Sequence, residues 1–145
     1  MPTVDQFFLD LHKSQVIEES LIACFYRGKE PPSYCHAMPR SPVPDAGHPL
    51  DSNFTCYLLK AMAANAALHD GALMFGRSSK AEDYILTGWS YRLFPPATGA
   101  EGLTNRGSAF NSCLAMSQVG RVDRLLLLSR DGVTEFKRGD IKKLA

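Results

Sequence analysis

The sequence predicts an α/β fold, a single domain in which a mixed β-sheet is flanked by helices. Three observations carry this expectation. Segments with apolar residues at helical spacing alternate with short apolar runs of strand length. One of those runs, Leu125 to Leu128, is apolar at every position, as in a strand buried on both faces. Asp131-Gly132 then supplies a hairpin signal leading into Val133-Thr134-Glu135-Phe136-Lys137.

Taken in order, Thr3-Val4-Asp5-Gln6 reads as a capping box, because the Thr hydroxyl and the Gln amide can satisfy the first free N–H groups of a helix. Val4, Phe7, Phe8 and Leu11 follow at helical spacing, Ile17, Leu21, Cys24 and Phe25 resume it, and Gly28 is the expected stop. Residues 31–49 hold six of the nine prolines. Proline at that density excludes a helix or a central strand and leaves a long surface connection with a short edge strand near Tyr34 to Met38. A second helix is expected from Ser52 to Ala66, capped by Asp51 or Ser52, with Phe54, Leu58, Ala61 and Met62 facing inward. Ala72 to Phe75 and Tyr84 to Thr87 read as strands. A glycine-containing stretch then leads to a third helix with Phe110, Cys113, Leu114 and Ser117 on one face and Gly120 at its end. No internal repeat is present.

Composition narrows the function classes. Hydrophobic residues make up 45% and charged residues 21% of the 145, which suits one ordered core rather than disorder. Sixteen Lys and Arg against fifteen Asp and Glu leave a net charge of +1. That field is too weak for a nucleic-acid polymer, whose binding needs clustered cations. The basic residues near the end, Arg121 to Lys143, read as a solvated face. No signal peptide is read at the start, no run approaches the ~18 apolar residues of a membrane span, and no membrane partner is expected. Cys24, Cys35, Cys56 and Cys113 form no CxxC pair, and the four histidines have no ligand spacing, so zinc is not expected. Reduced thiols in a cytoplasmic protein are.

Three segments carry candidate chemistry. Leu68-His69-Asp70-Gly71-Ala72 places a carboxylate and a glycine at the mouth of a strand, where Asp can hold a cation or accept a proton and Gly lets a backbone approach closely. The same Asp-Gly is also an ordinary turn. Glu101 to Ala109 brings Thr104, Asn105, Arg106 and Gly107 into a helix start, which can cradle an anion or be simply a capped helix with one solvated Arg. Ser129-Arg130-Asp131-Gly132 ends the buried strand, and it too can be only a turn.

In that order, over residues 52–140, these segments resemble the diadenylate-cyclase domain family, whose members join two ATP molecules into cyclic di-AMP. Asp70-Gly71-Ala72 looks like the family's DGA motif, Thr104 stands where the family has a threonine, and Asn105-Arg106-Gly107 occupies the place of its RHR motif. Asp123, Leu125 to Leu128 and Ser129-Arg130-Asp131 match the closing strand and its Ser-Glu-Glu ending, with Arg130 in place of the first acid. The resemblance implies a diadenylate-cyclase-like fold and a nucleotide site of Asp70, Gly71, Ala72, Leu86, Thr104, Asn105, Arg106, Gly107 and Ser129. It further implies Asp70 as the catalytic residue and as the ligand of Mg or Mn. Adenine nucleotide or cyclic dinucleotide is the implied ligand, with a weak, nucleotide-sensitive homodimer.

Two of the three phosphate-gripping side chains are absent, since Asn105 and Gly107 stand where the family has arginines. Phosphoryl transfer rests on positioning and charge neutralisation, and each lost group costs ~10²–10³ in rate. Three readings stay open: a nucleotide-binding sensor domain in signalling with impaired catalysis, an active cyclase with Arg77 or Arg92 replacing the lost cations, and an interaction module that keeps only the fold.

Overall fold

The computed structural model describes residues 3–17, 19–96 and 107–144. Helix α1 spans Val4–Ser14 and buries Phe7, Phe8 and Leu11. The Thr3 hydroxyl accepts the Gln6 N–H at 3.1 Å as expected, whereas the Gln6 amide turns outward to the Asp10 carboxylate at 2.8 Å. Only half of the capping box is therefore made. The helix stops at Gln15, whose φ of 57° is left-handed.

The predicted continuation of that helix is replaced by strand β1, Leu21–Arg27. The reason lies in the run Leu21-Ile22-Ala23-Cys24-Phe25-Tyr26. A helix packed on one side would turn much of it toward water, while a central strand buries both faces. Leu21, Ala23, Cys24, Phe25 and Tyr26 are accordingly almost fully buried.

Strand β2, Cys35–Ala37, is the edge strand expected within the proline-rich stretch. Helix α2, Phe54–Ala64, buries Phe54, Leu58 and Ala61. Its cap position falls on Asn53, which makes no side-chain cap bond. Asp51 acts just outside, its carboxylate accepting the Asn53 N–H at 2.9 Å. A short 3₁₀ turn, Ala66–His69, delivers the chain to β3, Ala72–Arg77, and β4 follows at Ile85–Leu93, well past the predicted Thr87. Helix α3 is Ser108–Met116, with Cys113, Leu114 and Met116 buried. Strands β5, Val122–Ser129, and β6, Gly132–Lys137, form the predicted hairpin. The exposed strand β7, Asp140–Lys143, extends it beyond what the sequence pattern announced.

The seven strands lie in the order β2-β4-β3-β1-β5-β6-β7. β1 and β3 are parallel and every other described pair is antiparallel, so the sheet is mixed. Alternate residues of the central strands feed two cores. Leu21, Ala23, Phe25, Leu73 and Phe75 pack under α1 and α2, and Cys24, Tyr26, Ala72 and Met74 pack under α3. Phe25 and Phe75 stack at 5.1 Å on the first side, with Phe8 and Phe54 closing over Phe75 edge-on or tilted. Ile22 pairs with Ala72 and Leu21 with Leu128, so the amino ends of β1 and β3 share one end of the sheet with the carboxyl end of β5. The other end collects Arg27, Arg77 and Val122. Among the described residues no helix is long and apolar enough to cross a membrane.

Candidate functional site

Asp70 closes the 3₁₀ turn, its N–H donating to the Ala67 carbonyl at 3.0 Å, and Ala72 enters β3 fully buried. Between them Gly71 holds a φ of +83°. A Cβ there would stand 2.8 Å from the Tyr91 carbonyl oxygen, 2.9 Å from the Ser90 carbonyl carbon and 2.7 Å from Met38 Cε. Both the backbone angle and the press of β4 thus require glycine. The buried Ser90 donates its hydroxyl to the Leu68 carbonyl at 3.4 Å, fixing the turn against β4.

The Asp70 side chain is 67% exposed, and its carboxylate meets Arg40 Nη2 at 3.4 Å. Arg40 comes from the proline-rich connection, where its Nη1 donates to the Pro39 carbonyl at 2.8 Å. Its Nε is buried without an acceptor among the described residues. Sequence reasoning missed Arg40, and its only signal was a cation set between Pro39 and Pro42. Arg92 stands on β4 beside Tyr91, the partner of Ala72, and so belongs to the same end of the sheet. Arg77 does not. It lies at the opposite end, 3.6 Å from Asp123 and with its guanidinium 4.2 Å over the Tyr84 ring, so it replaces no cation beside Asp70.

Ser129 ends β5 at the Asp70 end of the sheet, on the far side of β1. By register the two residues stand two strand spacings apart, ~10 Å. Ser129 also lines a small cavity of about 260 Å³ with His12 and Gln15. Gly107 caps α3 at φ +85° with open space around it. Helix α3 packs antiparallel to β5, with Phe110 on Phe136 at 4.9 Å and Ser117 accepting the Gly139 N–H at 3.0 Å. Its start therefore points toward the Asp70 end. Thr104, Asn105 and Arg106 lie outside the described residues. Leu86 does not join this group: it pairs with Phe75 well up the strand and is fully buried in the α1–α2 core, where its side chain fills space.

Among the described residues no group of three or more His, Cys, Asp or Glu converges as a metal site. Asp70 as a single exposed carboxylate suits Mg or Mn, which take one or two carboxylates and complete their shell with water and phosphate oxygens. Arg40 competes for that carboxylate. Cys24, Cys35 and Cys113 are poor nucleophiles. Burial raises Cys24 and Cys113 far above the ordinary thiol range, and Cys35 is pushed up to about 11 by the same cause.

A cavity of about 670 Å³ lies at the opposite end of the sheet. There Asp123 meets Arg27 at 3.3 Å and Arg77 at 3.6 Å and accepts the Tyr84 hydroxyl proton. Arg124 bridges Asp5 and Glu135, each at 2.6 Å. Burial, then the Asp123 bond, raises the Tyr84 phenol above its ordinary range.

No protein-family model matches the chain, and no curated protein matches it. Solved structures do match its architecture. A hypothetical membrane spanning protein from Bacillus cereus superimposes with a TM-score of 0.60 at 14% identity, over 96% of this chain and 60% of that one. DacA from Staphylococcus aureus, a diadenylate cyclase, superimposes with a TM-score of 0.58 at 14% identity, over 98% of this chain and 83% of that one. The fold is diadenylate-cyclase-like. Identity this low carries the diadenylate-cyclase-like architecture and no site chemistry, and the chain spans only 60% of the Bacillus cereus chain's length.

Proposed function

We infer that this domain binds an adenine nucleotide, ATP or a cyclic dinucleotide, at the amino end of β3, and that its cyclisation chemistry is impaired. The observation that carries the reading is the Asp70-Gly71-Ala72 turn. It stands at the mouth of a central strand of a diadenylate-cyclase-like fold, its carboxylate open to solvent and the start of α3 directed to the same end. In this reading Asp70 holds Mg or Mn, which supplies charge neutralisation for a nucleotide's phosphates when bound. Arg40, Arg92 and Arg106 are the cations left to receive those phosphates. Asn105 offers only a neutral bond, roughly half as strong as a charge-assisted one, and Gly107 offers no side chain. The leaving pyrophosphate is thus under-compensated.

Thermal melting with ATP and with cyclic di-AMP, each with and without Mn²⁺, tests binding. A rise in melting temperature is expected, with Asp70→Ala removing its metal-dependent part and Thr104→Ala weakening it in either condition. No shift at millimolar nucleotide rejects the reading. Chromatography of an ATP and Mn²⁺ incubation is expected to show little cyclic product, and robust turnover would instead establish an active cyclase. The triple change Asn105→Arg, Arg106→His, Gly107→Arg is expected to tighten ATP binding. An unchanged affinity would mean that this loop does not face the triphosphate.

A further inference from the structure

We propose a second ligand site, an anion pocket for a phosphate-bearing small molecule, at the end of the sheet remote from Asp70. Its space is the cavity of about 670 Å³ bounded by the amino end of α1, the β3–β4 connection and the β6–β7 turn. That volume suits a small metabolite.

The charges sort into two groups. The acids inside, Asp5 and Asp123, are already held: Asp5 by Arg124, and Asp123 by Arg27, Arg77 and the Tyr84 hydroxyl. Three cations that line the cavity have no ion pair among the described residues: Lys80 from the β3–β4 connection, Lys137 at the end of β6 and Arg138 in the following turn. Only Glu82 and Asp83 oppose them. Arg138 is held at a φ of +50° as the first residue of the two-residue turn Arg138-Gly139, which needs positive φ at both positions.

One further feature points to an acceptor-rich ligand. The first turn of α1 faces the space. Its Thr3 cap is spent on Gln6, which leaves the N–H groups of Val4 and Asp5 outside the helix ladder. Donors arriving from three elements suit the several oxygens of a phosphate better than a planar carboxylate. Pro49, Leu50 and the Tyr84 ring add an apolar wall for the rest of such a molecule.

The test is calorimetric titration of the whole chain with inorganic pyrophosphate at low salt. One saturable site is expected. Lys137→Ala with Arg138→Asn is expected to weaken it at least ~10-fold, the loss that follows from removing charge-assisted bonds, whereas Asp70→Ala leaves it unchanged. Asn is chosen because it tolerates positive φ. Should that double variant fail to show a native melting transition, the exposed change Lys80→Ala must weaken binding instead. Absence of saturable binding overturns the proposal, as does undiminished affinity in the folded variants. A loss that Asp70→Ala reproduces would move the anion to the nucleotide end, overturning this site while leaving the nucleotide reading standing.

Discussion

Gly71 shows how a residue can be fixed by packing in a segment that the sequence offers as chemistry. Its positive φ and the nearby carbonyls of Ser90 and Tyr91 leave no room for a methyl group. Gly71→Ala is expected to cost about 2–4 kcal/mol in urea denaturation, combining backbone strain with displacement of β4. A loss below about 0.5 kcal/mol, the range of an unremarkable surface change, would show that the turn relaxes freely. At this scale the candidate site was partly legible. Asp70, Gly71 and Ala72 are contiguous, so their meeting needs no tertiary knowledge, and Ser129 reaches the same end of the sheet, across β1, because it ends an obvious strand. Arg40 was not legible, since it stands thirty positions before Asp70 and meets it only after α2 has folded back. Leu86 was misplaced for a related reason: only the β3–β4 register reveals that it stands opposite Phe75 inside the core.

Among the elements, β1 is where periodicity misleads. Its apolar residues match helical spacing because a continuous apolar run matches every spacing, and length with flanking signals has to arbitrate. Gln15 breaks the helix without being Gly or Asn, so the usual stop signal was missing. β7 escaped notice because its four residues are all exposed and pair only through backbone. The exit of β1 is secured by Arg121, whose guanidinium donates to the carbonyls of Arg27, Glu30 and Pro31, each at 2.9 Å. Gly28 permits this, because a Cβ there would stand 2.6 Å from Arg121 Nη1. Arg121→Ala is expected to lower stability by about 1–2 kcal/mol and to speed amide exchange across Arg27 to Pro31, the discount from three charged bonds reflecting their exposure. Unchanged exchange there would mean that the arginine decorates a connection already held by the sheet.

For the whole molecule, two cores share one sheet, and adjacent residues of β1 serve opposite sides: Phe25 packs under α1 and α2, Tyr26 under α3. Neither core can melt while the other keeps β1 in place. Urea unfolding followed by Trp89 fluorescence and by far-ultraviolet dichroism is expected to give coincident midpoints, as small domains of one cooperative unit do. Separated midpoints would show that the α3 side opens independently. The cavity remote from Asp70 was not legible either, because Lys137 and Arg138 read as solvated face until the β6–β7 turn carries them to the start of α1.

The placement of β1 also governs the order in which the chain can assemble. Ile22 takes Ala72 on one side and Leu127 on the other, so a strand made early waits for partners made in the middle and near the end of the described chain. Closing such long loops is entropically slow, and local helices and hairpins form well before it. On a ribosome, Leu21-Ile22-Ala23-Cys24-Phe25-Tyr26 therefore emerges as an unpaired, uncharged apolar segment of high strand propensity, the kind that associates with its own copies or is shielded by a chaperone until β5 appears.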